Sequence, residues 1–99
     1  MPTKLNLLIK EEAEFDILNA YQFYEEQQLN LGNRFIYELE KVLISILKSP
    51  DGFEKKSFYR QVPIKKFPYV VLYEKFDSEI VVYAVFQTKQ NPTKKERII

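Results

Sequence analysis

The spacing of apolar residues changes character twice along this chain. "KLNLLIK" (residues 4–10) is short, apolar and partly alternating, which predicts a β-strand. From Glu11 the period lengthens. Ala13, Ile17, Ala20, Tyr21 and Tyr24 follow one another at steps that place them on one helical face. Glu11, Glu12, Glu14 and Asp16 crowd the start, where carboxylates suit the positive end of the helix dipole. "QQLNLGN" (27–33) breaks the pattern, with Asn30 as the expected N-cap of a second helix and Gly32 in or near its first turn. Phe35, Leu39, Val42, Leu43 and Ile46 form the second stripe, and Ser49, Pro50, Asp51 and Gly52 end it.

Beyond residue 57 the pattern becomes strand-like. The expected strands are "SFYRQV" (57–62), "YVVLYEKF" (69–76) and "EIVVYAVFQ" (79–87), with Asp77-Ser78 as a tight turn between the last two. In "YVVLYEKF" both faces are apolar, Val71 and Tyr73 on one and Val70 and Leu72 on the other, so the sheet needs cover on both sides. A helical hairpin supplies one cover; loops or a partner must supply the other. Phe15, Leu18 and Phe23 make the first helix apolar beyond its main stripe, which either widens its buried face or marks contact with another chain. The predicted fold class is α+β: an N-terminal strand, an antiparallel helical hairpin, then three antiparallel strands forming a twisted sheet. The 99 residues make one domain, 1–99, large enough for a core without metal or disulfide staples.

Composition narrows the chemistry. The chain has no cysteine, which removes thiolate chemistry and fits a reducing compartment. It has no histidine, so the commonest general acid/base and metal ligand are missing. No cofactor and no metal are expected, because two glycines cannot build a phosphate loop and the carboxylates at 11–16 read as a helix start. No signal peptide pattern and no membrane-spanning run occur, so the expectation is a cytoplasmic protein with no membrane partner. The net charge of +1 conceals a split: residues 1–54 carry −5 and residues 55–99 carry +6. That points to an anionic partner on one side of the fold, or to two ordinary solvated faces.

The cations gather among tyrosines. Arg60, Lys65, Lys66 and Lys89 lie near Tyr59, Tyr69, Tyr73 and Tyr83, and Lys94 and Lys95 follow in the polar tail. Arginine and lysine clamp phosphates, and rings stack on unpaired bases. Arg60, Lys65, Lys66, Lys89, Lys94 and Lys95 are therefore candidates for binding a target or nucleic acid. If the chain cleaves RNA, Arg60, Lys65, Lys66, Lys89 and Tyr73 are the catalytic candidates, a lysine or tyrosine moving the proton and an arginine stabilising the charged phosphate. The plainer alternatives are that Tyr69 and Tyr73 pack one sheet face, that Lys65 and Lys66 are a solvated turn, and that Arg60 forms a salt bridge.

In order and spacing, "AEFDILNAYQFYEEQ", "LGNRFIYELEKVLISILKSP", "YRQVPIKKFPYVVLYE" and "IVVYAVFQTKQNP" resemble the RelE/ParE superfamily of bacterial toxins of type II toxin–antitoxin pairs, over residues 11–92. The resemblance implies a cognate antitoxin as partner, and either DNA gyrase or the ribosome and its mRNA as target. It matches Arg60 to the family's arginine on the strand after the hairpin, Lys65 and Lys66 to basic positions before the central strand, and Tyr73 to an aromatic on that strand. The family often has histidine where this chain has Gln87. The ribonuclease branch has an arginine where it has Gln90, and often an aromatic residue where it ends in Glu96, Arg97, Ile98 and Ile99. These departures favour the ParE-like, gyrase-directed branch. A ribosome-dependent mRNA endoribonuclease and a degenerate, non-toxic interaction domain are the alternatives.

Overall fold

In the computed structural model, which describes residues 5–88, the chain runs β1 (Asn6–Ile9), α1 (Glu11–Gln27), α2 (Leu31–Lys48), β2 (Glu54–Lys55), β3 (Arg60–Pro63), β4 (Tyr69–Lys75) and β5 (Glu79–Gln87). The helices follow the predicted periods. α1 opens with Glu11, Glu12 and Glu14 in its first turn and buries Ala13, Asp16, Ala20 and Tyr24. Ile17 and Tyr21, predicted on the same face, are half-buried. α2 buries Phe35, Glu38, Leu39, Val42 and Ile46. Each helix thus places one carboxylate in its apolar stripe. The extra apolar side of α1 stays in solvent, with Phe15 58%, Leu18 48% and Phe23 47% exposed.

The hairpin between the helices depends on Glu25 and Gly32. Asn30 occupies the predicted N-cap position in a left-handed conformation (φ 70°), but its side chain accepts no capping hydrogen bond from a helix N–H. Its Oδ1 instead accepts a hydrogen bond from Asn33 at 3.2 Å. The Glu25 carboxylate performs the capping, accepting the Asn30 N–H at 2.9 Å and the Gly32 N–H at 3.0 Å. At Gly32 the helices approach closely: a Cβ there would lie 2.6 Å from the Tyr21 carbonyl oxygen. This explains a glycine in a first helical turn, where propensity alone disfavours it.

The sheet order is β1-β5-β4-β3-β2. β3, β4 and β5 are antiparallel, as predicted, and β1 lies parallel to β5, from Asn6 opposite Glu79 to Ile9 opposite Val82. Two details differ from the sequence reading. A short strand, β2, pairs antiparallel with β3. Ser57 and Phe58, expected in a strand, form the turn between them, because the Lys56 N–H closes on the Tyr59 carbonyl at 2.9 Å. β5 carries a bulge at Tyr83, since Leu72 faces Ala84 while Tyr73 faces Val82.

The alternation of β4 builds two cores. Tyr69, Val71 and Tyr73 join Val62, Ile80, Val82 and Val85 under the helical hairpin. Val70 and Leu72 join Tyr59, Ala84 and Phe86 in a smaller cluster on the other face. Burial at about 25 cal/mol per Å² of apolar surface makes the first cluster the main source of stability. Asp16 links the layers. β1 ends opposite Val82, and beyond that point the Asp16 carboxylate accepts the Val85 N–H at 3.0 Å. It completes the edge of β5 where the neighbouring strand stops.

Candidate functional site

β3 carries the predicted basic residues, and its length divides them into two groups. Arg60 begins the strand and Lys65 and Lys66 follow its end, so the strand alone holds the groups roughly 10 Å apart at about 3.3 Å per residue.

At the Arg60 end, three side chains from neighbouring strands converge on the loop that follows α2. The Arg60 guanidinium donates through Nη1 to the Phe53 carbonyl at 2.9 Å and to the Asp51 carbonyl at 3.4 Å. Its Nη2 meets Asp51 Oδ1 at 3.4 Å, and Lys75 Nζ meets Asp51 Oδ2 at 3.5 Å. Tyr73, opposite Arg60 in the register, donates its hydroxyl hydrogen to the Pro50 carbonyl at 2.6 Å. Burial pushes the Tyr73 phenol above its ordinary range, and the Asp51 charge adds to this while Arg60 opposes it. The salt-bridge alternative for Arg60 is therefore realised, with a backbone carbonyl as its shortest contact.

At the other end, residues 64–68 form a tight turn closed by the Ile64 N–H on the Tyr69 carbonyl at 2.9 Å. Lys66 adopts a left-handed conformation (φ 72°) that residues with a side chain rarely take. Its ammonium group lies 3.7 Å from Glu38 Oε2, and that of Lys41 lies 3.4 Å from Glu38 Oε1. The Glu38 side chain is only 6% exposed, while those of Lys41 and Lys66 are 50% and 68% exposed. Two clefts open on either side of Glu38. One, of about 380 Å³, is lined by Tyr24, Leu31, Arg34, Tyr37, Lys66 and Phe67 among others. The other, of about 250 Å³, is walled by Val42, Phe53, Val62 and Pro63, with Lys41 and Lys65 at its rim.

The predicted tyrosines have separate fates. Tyr69 is buried on the helix side, where burial raises its pKa, a hydrogen bond with Gln87 opposes the rise, and Asp16 adds to it. Tyr59 belongs to the second core. Tyr83 donates its hydroxyl hydrogen to Glu74 Oε1 at 2.6 Å, and burial, helped by that carboxylate, pushes its pKa up to about 12. Lys89, Lys94 and Lys95, with Gln90 and the end of the tail, lie outside the described residues.

Glu38, Arg34 and Lys41 are not among the residues expected at the site from sequence. A signal for Glu38 was present: it falls three residues after Phe35 and beside Leu39, inside the apolar stripe. Taken together, the surface presents cations at the rims of two partly apolar clefts. Among the described residues, no helix is long and apolar enough to cross a membrane.

Comparison with known proteins agrees with this architecture. The family model described as the ParE toxin of the type II toxin–antitoxin system, parDE, matches residues 7–92. A chain of the chromosomal ParDE toxin–antitoxin system from P. aeruginosa superposes with a TM-score of 0.72 at 11% identity, covering 85% of this chain and 96% of that one. A mutant of E. coli toxin RelE, in complex with an antitoxin RelBc peptide, gives 0.62 at 16% identity, covering 98% and 96%. A chain of the intact E. coli RelBE toxin–antitoxin complex gives 0.54 at 15% identity, covering 87% and 99%. No curated protein matches the sequence.

Proposed function

Because this chain belongs to the ParE toxin family of type II toxin–antitoxin systems, we propose that it arrests growth by binding DNA gyrase and is neutralised by a cognate antitoxin. The observation that carries this reading is the ParE family match across residues 7–92. The chemistry of the site supports a binding role over RNA cleavage. A ribonuclease without histidine needs a proton-transfer group and a phosphate-stabilising cation close together and available to substrate. Here Tyr73 is fully buried, its phenol pushed up and its proton donated to Pro50. Arg60 faces the loop after α2, and the length of β3 separates it from Lys65 and Lys66. The exposed lysines are suited to gripping acidic surface. Lys65 and Lys66, with Lys89, Lys94 and Lys95 in the tail, are the proposed target-binding residues, while Arg60, at the far end of β3, fixes the loop after α2.

Induced expression in a bacterial host tests this. The expected result is growth arrest with transcripts left intact. Transcripts cut at codon-phased positions, with cutting lost in Arg60→Ala or Lys66→Ala, would establish the endoribonuclease reading instead. Unimpaired growth with folded protein present would establish a non-toxic interaction domain.

A further inference from the structure

The two edges of the sheet are unlike. At one, β2 consists of two charged, exposed residues, Glu54 and Lys55. Short charged edges resist pairing with another chain. At the other, β1 reads Asn6, Leu7, Leu8 and Ile9, with no charge or proline inside it. Leu7 is 36% and Leu8 45% exposed. The Asn6 and Lys10 N–H groups donate inward, to the Ser78 and Val82 carbonyls, at 3.0 Å each. Alternation turns the backbone groups of Leu7 and Ile9 outward, where no strand flanks β1 among the described residues. The side chains alternate too. Leu7 and Ile9 share the helix face with Ile80 and Val82, and Leu8 shares the opposite face with Val81. Beside Ile9 opens an apolar groove of about 330 Å³, walled by Ile17, Leu18 and Tyr21 of α1 and Ile36 of α2.

We propose that β1 pairs antiparallel with β1 of a second copy of this chain, joining the two sheets into one across a twofold axis. Facing side chains must share a face, and the outward backbone groups must meet; centring the pair on Leu8 satisfies both. Leu8 then faces its own counterpart, Leu7 faces Ile9 of the second copy, and Asn6 faces Lys10 of the second copy. The outward N–H and C=O groups of Leu7 and Ile9 exchange hydrogen bonds, twice over by symmetry. Leu7, exposed on the helix face, enters the groove beside Ile9 of the second copy. Lys10 comes beside Asn6 of the second copy, whose neighbour on the far side is Glu79. Two strand spacings, roughly 10 Å, then separate Lys10 from that Glu79, within the joint reach of the two side chains. Within one chain the length of β1 holds Lys10 and Glu79 roughly 13 Å apart along the strand, so the charge pair forms between copies. Any extended peptide satisfies the outward backbone; a second copy also supplies the leucine for the groove and the carboxylate for Lys10. The turn bearing Lys65 and Lys66 lies three strands from β1. The dimer therefore leaves the proposed target-binding lysines uncovered, and it holds whatever the target is.

Sedimentation equilibrium on the purified full chain, at concentrations up to about 100 μM, tests this together with cross-linking. The expected mass is that of two chains, falling to one on dilution. Leu8→Lys sets two ammoniums opposite each other and should weaken the dimer at least about tenfold. Lys10→Glu should also weaken it, and the swap Lys10→Glu/Glu79→Lys should restore it, which a merely structural role for either residue would not do. Leu8 and Lys10 are exposed, and circular dichroism checks that each variant folds. The chain has no cysteine, so Leu8→Cys introduces a single thiol. At a non-hydrogen-bonded antiparallel site facing Cα atoms lie about 4.5 Å apart, within disulfide range. Under copper–phenanthroline oxidation Leu8→Cys should therefore link two copies at least about tenfold faster than Leu29→Cys, at a position 79% exposed between the helices. A single-chain mass at every concentration would overturn the proposal. So would a dimer that Leu8→Lys and Lys10→Glu leave unchanged, or equal cross-linking at the two positions.

Discussion

Replacing Arg60 by alanine separates a tether from a freely presented cation. The guanidinium is only 20% exposed, and its shortest contact is the Phe53 carbonyl at 2.9 Å. A hydrogen bond from a charged group contributes about 1.5–3 kcal/mol. The Asp51 carboxylate is 66% exposed and its contacts to Arg60 and Lys75 are long, at 3.4 and 3.5 Å. Exposed pairs of this kind are worth about 0–1 kcal/mol. Arg60→Ala should therefore cost about 2–3 kcal/mol, and Asp51→Ala less than about 1 kcal/mol. Arg60→Lys should recover only part of the loss, since an ammonium cannot reproduce the planar fork that reaches Phe53 and Asp51 together. Urea unfolding read by far-UV circular dichroism measures all three, with the double variant giving the coupling. An Arg60→Ala chain within about 0.5 kcal/mol of the parent would show that the guanidinium is not a tether. An Asp51→Ala chain as unstable as Arg60→Ala would show that the ion pair, not the Phe53 contact, carries the effect.

Other positions give independent checks. Gly32→Ala gains about 1 kcal/mol of helix propensity but drives a Cβ to 2.6 Å from the Tyr21 carbonyl, so a net loss of stability is expected in urea unfolding, overpacking costing about 1–3 kcal/mol. Asp16→Ala leaves the Val85 N–H without its acceptor, and a loss of about 1–3 kcal/mol is expected, with faster amide hydrogen exchange at Val85. The Tyr83 pKa, about 12 in the folded chain, lies above the ordinary 10, so the folded state holds this proton more tightly than the unfolded one. Its contribution is complete below pH 10 and is lost as the pH rises from 10 through 12. Tyr83→Phe should therefore flatten part of the alkaline fall in urea midpoint over that window. Tyr24, Tyr69 and Tyr73, also raised by burial, add to the fall in the same direction.

The elements with strong periods were legible in the sequence, and the buried charges were not. The helical stripe around Phe35 and Val42 and the two-faced apolar run of β4 each correspond to a structural layer. β2 escaped because two charged, exposed residues, Glu54 and Lys55, carry no hydrophobic pattern; only backbone pairing with β3 defines them. Asp16 looked like one more helix-start carboxylate. Its position three residues after Ala13 and four before Ala20 sets it on the buried face, and only the early end of β1 explains why a carboxylate is needed there. Sequence grouped Arg60 with Lys65 and Lys66 by proximity along the chain. An extended strand converts that proximity into separation, so one basic cluster became two sites with different partners. The left-handed turn at Lys66 had no sequence signal, since neither glycine nor asparagine marks it.

Whether the chain acts by binding gyrase is decided by a DNA supercoiling assay with purified gyrase and relaxed plasmid. The purified chain should inhibit supercoiling in proportion to its concentration, and Lys65→Glu/Lys66→Glu should weaken the inhibition while leaving the chain folded. Full supercoiling activity at a large molar excess of the folded chain would rule gyrase out as its target.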